Sequence, residues 1–328
     1  MRFVLSIILI FCAFSTRALE LEGTFQVGNG QSQITVLGTN DFERVKPVFS
    51  RFSEINPRYN VVYLQASSRE IDRATKEGLH PKIDLVMSSA IDLQIKAVND
   101  GFATRIDLNG LLATHWREEL VQISVEPIVS IYNEKTNPEF NKIKTRRELI
   151  RSIEQSSANL RIMMYDPKVS GVGYLLSRQD ELQDNAFWSL IRRFQTKEFK
   201  PSCCSGEMID AVASGEAAIA YNVIESYILP KLNESPHLKI LRFEDYQLAI
   251  PRTAFVPKSS DNPDLGSQLV RYFITSDAQA RLPELVRLSV LNKQTRGGGP
   301  TKPIRLSPAL TVHLDPMAKG SFFDRWDQ

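Results

Sequence analysis

Short apolar runs that end in small polar residues, each followed by a stretch with apolar positions three and four apart, recur along this chain. Residues 34–37 are a β-branched run ending at Gly38-Thr39-Asn40-Asp41. Phe42, Val45, Phe49 and Phe52 then share one helical face, and Pro57 closes it. Residues 60–64 lead into Ala66-Ser67-Ser68-Arg69 and a helical segment 70–77 stopped by Gly78. Residues 83–87 read as a buried strand, handed over by Ser88 and Ser89 to a helix that runs to Asp100 and stops at Gly101. Three strand–helix units in succession predict a mostly parallel sheet with helices on its faces.

The second half repeats the layout without repeating the letters. Residues 123–132 are apolar and alternating, as expected of a strand passing between two bodies. A helix is predicted over 145–155 and a strand over 161–165, which turns through Ser170-Gly171-Val172-Gly173 into another helix. In 184–195, Phe187, Trp188, Ile191 and Phe194 form an inward face. Pro201-Ser202-Cys203-Cys204-Ser205-Gly206 leads into a helix at 207–214; 217–220 is read as strand, with Tyr221-Asn222 opening the next helix. A second alternating strand lies at 248–257, and helices are expected at 262–274 and 276–285. Gly297-Gly298-Gly299-Pro300 follows no strand and lacks the Lys-Ser/Thr of a phosphate loop, so it is read as a turn. The expected fold is α/β and two-lobed, each lobe a mostly parallel sheet flanked by helices. Residues 19–122 plus 258–328 form lobe 1 and 133–247 form lobe 2, with crossover hinge strands at 123–132 and 248–257.

Residues 1–18 stand apart. Arg2 precedes an apolar run too short to span a bilayer, which ends at Thr16-Arg17-Ala18, the pattern of a secretory signal peptide. Without its two arginines, 38 basic residues face 38 acidic ones. No basic field then argues for nucleic acid, and a monomer outside the cytoplasm, in the periplasm, is expected. Cys12 lies in this segment, leaving Cys203 and Cys204 as the thiols of the mature chain; there is no disulfide framework, so packed cores must supply stability.

In open α/β sheets ligands sit outside the carboxyl ends of the strands. Five turns supply candidates there: Thr39-Asn40 and Ser88-Ser89 in one lobe, and Ser170-Gly171-Gly173, Cys203-Cys204-Ser205 and Tyr221-Asn222 in the other, with Ser68 beside the first two. Hydroxyls, amides and helix N-termini suit an anionic small molecule held by N–H donors. Arg69 and Lys168 flank the expected cleft. Enzyme readings are weak: there is no nucleophile elbow, no histidine pair at zinc spacing, and Glu126 and Asp166 are single carboxylates. No cofactor or metal is expected.

The residues Ile83-Asp84-Leu85-Val86-Met87-Ser88-Ser89, Ser170-Gly171-Val172-Gly173-Tyr174, and the stretch from Met208 through Ser214-Gly215-Glu216 to Ala220-Tyr221-Asn222 resemble the periplasmic solute-binding proteins of ABC importers, in the ferric-iron-binding branch. The resemblance implies a type II periplasmic binding fold and a membrane permease as partner. Iron-binding members place adjacent tyrosines where this chain has Tyr221-Asn222. With that departure, the chain is more similar to the sub-branch of hexose-phosphate binders and phosphoglycerate-transport regulatory proteins. The function implied is capture of a phosphorylated or carboxylated organic anion. Alternatives are a sensor that signals to a histidine kinase, a ferric-iron binder, and a redox role for the thiol pair. Cys203 and Cys204 themselves are read first as packing or ligand-shaping residues, then as a vicinal disulfide, then as a soft-ion site.

Overall fold

A computed structural model of the chain describes residues 18–80, 82–282, 287 and 299–328. The signal-peptide reading of 1–18 therefore falls almost wholly outside the described residues, as do Gly297 and Gly298 and the end of the helix expected at 276–285.

Two sheets of similar design share a pair of long strands. In the first lobe Tyr59–Gln65, Ser32–Gly38 and Leu85–Ser88 run parallel, with Gly23–Val27 antiparallel at the edge. In the second, Glu198–Ser202, Arg161–Tyr165 and Ile219–Ile224 run parallel. Joining them are Leu120–Asn133 and Gln247–Pro257, buried along their whole lengths and antiparallel to each other. The former continues from that pairing into the second sheet, where Ile128–Tyr132 lie against Ile219–Ile224. The chain thus has the two-lobed α/β periplasmic-binding-protein architecture with two crossover strands.

Helices follow the strands because the apolar faces demand it. Helix Phe42–Ile55 buries Phe42, Val45, Val48, Phe49 and Phe52 against the first sheet, each large side chain contributing about 1.5–3 kcal/mol of transfer free energy. Helix Phe187–Gln195 does the same for the second lobe with Phe187, Trp188, Ile191 and Phe194. The pattern of apolar positions did not show Glu198–Ser202, whose alternation is broken by Lys200 and Pro201. It is tolerable because it is the edge strand of its sheet.

Two expectations are corrected. Tyr221-Asn222 do not open a helix; they lie inside strand Ile219–Ile224, at a bulge where the register against Leu120–Asn133 shifts and Asn222 takes φ +60°. Nor does the whole segment 258–328 return to the first lobe. Helix Pro263–Phe273 packs there, through Leu269, Val270 and Phe273. Helix Pro316–Trp326 instead lays Phe322 and Trp326 among Tyr174, Phe187 and Trp188 of the second lobe. Its aromatic side chains complete that lobe's core, which is the stronger demand.

Candidate ligand-binding site

Between the lobes lies a cavity of about 340 Å³. Its first-lobe wall carries Glu22, Thr39, Asp41, Ser67, Ser68 and Ser89; its second-lobe wall carries Tyr165, Ser170, Cys203, Cys204, Ser205 and Tyr227; Arg252 of the crossover strand also lines it. Five helices begin at this lining. Asp41, Ser67, Ser170 and Cys204 are the N-cap residues of Phe42–Ile55, Ser68–Lys76, Gly171–Gln183 and Ser205–Ala213, and Ser89 immediately precedes Ala90, the N-cap of Ile91–Asn99. Each parallel strand delivers its helix start to the same, carboxyl end of the sheet, so the positive ends of the helix dipoles are gathered there.

The turns are held rigidly. Tyr63 Oη accepts from the Asn40 N–H and donates to the Asn40 carbonyl, 2.9 Å each. The phenol has room only because residue 38 is glycine: a Cβ there would sit 2.5 Å from it. Ser67 and Ser170 cap their own helices through the Glu70 and Gly173 N–H groups, both at 3.1 Å. Ser88 Oγ accepts from the Ala90 N–H at 3.1 Å. Ser89 Oγ, by contrast, is buried and has no hydrogen-bond partner among the described residues. A buried hydroxyl left without a partner is costly.

Arg252 is only 2 % exposed. Its Nη2 lies 2.5 Å from Glu126 Oε1, and its Nη1 lies 3.5 Å from Thr39 Oγ1. Ser226 Oγ donates to the other oxygen of Glu126. Burial pulls the Arg252 guanidinium down, but Glu126 beside it outweighs that and leaves it above its ordinary value. Burial pushes up the phenols of Tyr227, to about 12, and of Tyr165, which is hydrogen-bonded to Ser205.

A sequence profile described as "Bacterial extracellular solute-binding protein" matches residues 34–284, well over half of the chain. The chain belongs to this family of extracellular solute-binding proteins. Among solved structures, the substrate-binding protein of an ABC transporter from Agrobacterium tumefaciens is 25% identical, covering 93% of this chain and 97% of that one, with a TM-score of 0.83. Iron-bound HitA from Pseudomonas aeruginosa is similar at 15% identity, with coverage of 90% and 99% and a TM-score of 0.69. AfuA from Actinobacillus pleuropneumoniae, with fructose-6-phosphate bound, is similar at 11% identity, with coverage of 90% and 98% and a TM-score of 0.70. These last two show the shared fold alone. No curated protein matches the sequence. Membership of this family makes the chain a solute-binding protein rather than an enzyme. Among the described residues, no helix is long and apolar enough to cross a membrane.

The solute-binding protein brings Thr39, Ser68, Ser89, Ser170, Cys203 and Cys204 together around the cavity. The other six candidates lie elsewhere. Asn40 is buried behind its turn, and Ser88 faces its own helix. Gly171 is one point where the lobes touch: a Cβ would lie 2.9 Å from Ser68 Oγ and 3.0 Å from Leu93 Cδ1. Gly173 lets its helix approach the strand, since a Cβ would lie 2.6 Å from Tyr165 Cβ. Tyr221 and Asn222 are buried inside the second lobe. Tyr221 Oη accepts from Arg146 Nε at 2.7 Å and donates to Asp180 at 3.0 Å, and Asn222 Nδ2 donates to the same carboxylate at 2.5 Å. The bulge that makes room for this network is what removes both residues from the cavity. Cys203 and Cys204 line the cavity joined as a vicinal disulfide, the second of the three readings, so they pack there as a bonded pair and not as two reduced thiols. Of the flanking cations, Lys168 Nζ is paired with Asp327 at 2.5 Å.

Residues missed in the sequence include Glu22, Asp41, Tyr165, Tyr227 and Arg252. For Arg252 a signal was present: it is the one charged residue of its strand, as Glu126 is of the other. A lone charge in each of two apolar strands predicts a mutual partner.

Proposed function

We propose that this protein captures a small organic anion, a phosphorylated or carboxylated metabolite, between its lobes in the periplasm and delivers it to the permease of an ABC importer. The observation that carries the reading is the gathering of five helix starts and Arg252 around one cavity. HitA holds iron and AfuA fructose-6-phosphate on the same fold, so the choice rests on side chains. Here the place where iron-binding members put adjacent tyrosines holds Tyr221-Asn222, and Tyr221 is turned into the second lobe onto Arg146 and Asp180.

A thermal-shift screen of sugar phosphates, phosphoglycerates, di- and tricarboxylates and Fe(III) tests this. A bound ligand raises the melting temperature by mass action, and at least one organic anion is expected to do so. A response to Fe(III) alone sinks the proposal.

A further inference from the structure

We infer that the solute is a zwitterion, bound with its anionic head against lobe 2 and a protonated amine against lobe 1; the inference rests on the anion-binding reading above. The two walls differ in kind. The lobe 2 lining contains no charged side chain: it consists of Tyr165, Val169, Ser170, Val172, the Cys203–Cys204 disulfide, Ser205, Gly206, Ile224 and Tyr227, with helices of 13 and 9 residues starting at Ser170 and Cys204. Glu207 stands in the first turn of Ser205–Ala213, whereas the first turn of Gly171–Gln183 has no acidic residue, so that positive helix end is left for an anion from outside. The lobe 1 lining carries two carboxylates, Glu22 and Asp41. The cation in this lining, Arg252, is paired with Glu126, and burial still raises Asp41 against the pull of Arg44 and Arg252.

Asp41 is the telling residue. Aspartate is among the strongest N-cap residues, and Asp41 occupies the N-cap of Phe42–Ile55. Yet its side chain makes no capping bond, whereas Ser67 and Ser170 cap their helices at the equivalent turns. Arg44, one turn along, stands over the Tyr227 ring, 5.5 Å from its centroid. Gln65 Nε2 donates to Glu22 at 3.2 Å, which fixes the second carboxylate without neutralising it. A plain dianion would meet this wall unfavourably. A molecule carrying both charges satisfies both walls, and by doing so it ties the lobes together. Ser89, whose buried hydroxyl has no partner among the described residues, belongs to the same lining.

Titration calorimetry with matched probes tests this: phosphoethanolamine against ethyl phosphate, and γ-aminobutyrate against butyrate, on the wild type and on Asp41→Asn and Glu22→Gln. The amine-bearing member of at least one pair is expected to bind about tenfold or more tighter, with the ratio falling towards one in Asp41→Asn while the apo melting temperature is unchanged. Equal binding within the pairs overturns the zwitterion and leaves the anion reading standing. So does a screen in which only amine-free phosphates or carboxylates bind. A preference for the amine that survives both substitutions overturns the assignment to this wall.

Discussion

Arg252 and Glu126 clasp the two crossover strands to each other at the floor of the cavity, Nη2 to Oε1 2.5 Å, with Ile250 the registered neighbour of Glu126. Both are nearly inaccessible, so removing one partner strands a buried charge. Glu126→Ala is expected to lower the unfolding free energy by about 3–5 kcal/mol. The double change Glu126→Leu with Arg252→Met should recover most of that loss while abolishing ligand binding. Urea denaturation and calorimetry read the two effects separately, and retained affinity in the double variant would remove Arg252 from the site.

Adjacent serines are expected to behave oppositely. Ser89→Ala removes a hydroxyl with no partner among the described residues, so apo stability should hold or rise by up to about 1 kcal/mol, while solute affinity falls up to about tenfold. Ser88→Ala removes the acceptor of the Ala90 N–H and should cost about 1 kcal/mol with affinity unchanged. Melting curves with and without the binding anion from the screen distinguish the two.

Tyr221→Phe tests the placement of the strand bulge. The hydroxyl links Arg146 to Asp180 in a buried network that also takes in Tyr246. Its loss should cost about 1–3 kcal/mol of stability and leave binding alone. A large change in affinity at constant stability would return Tyr221 to the cleft.

Asp92, buried in the first turn of Ile91–Asn99 with Oδ1 unpartnered among the described residues, is pushed up to about 7 by burial. Between the ordinary carboxylate value and about pH 7 the folded chain holds a proton that the unfolded chain has lost. The contribution of this group therefore falls as pH rises through that window and levels off above it, by at most about 4 kcal/mol. Asp92→Asn should flatten this part of the profile. Identical slopes for wild type and variant between pH 4 and 7 would show that Asp92 is not the titrating group.

The disulfide gives a direct chemical test. In the folded chain lacking residues 1–18, thiol titration is expected to register no free thiol before reductant and two after it, since Cys203 and Cys204 are paired. Two thiols reacting at once would restore the unpaired reading.

Local pattern determined a good deal about this protein. The periodic apolar faces of Phe42–Ile55 and Phe187–Gln195, the run of strand–helix units and the two long apolar strands specify an α/β chain of two lobes, because burying those faces leaves few arrangements. The hydroxyl turns at Ser67 and Ser170 follow from the need to finish exposed helix N–H groups, so part of the cavity wall could be read in advance. Tertiary structure decided the rest. Which of two adjacent residues faces the cavity, Ser89 or Ser88, depends on one hydrogen bond. Whether Tyr221 points to solvent, cleft or core depends on a bulge that Asn222 permits. Whether Cys203 and Cys204 stay apart, and whether Arg252 meets Glu126 from a strand more than a hundred residues away, are matters of approach between side chains. Periodicity fixes the face a residue occupies; only packing fixes what it meets there.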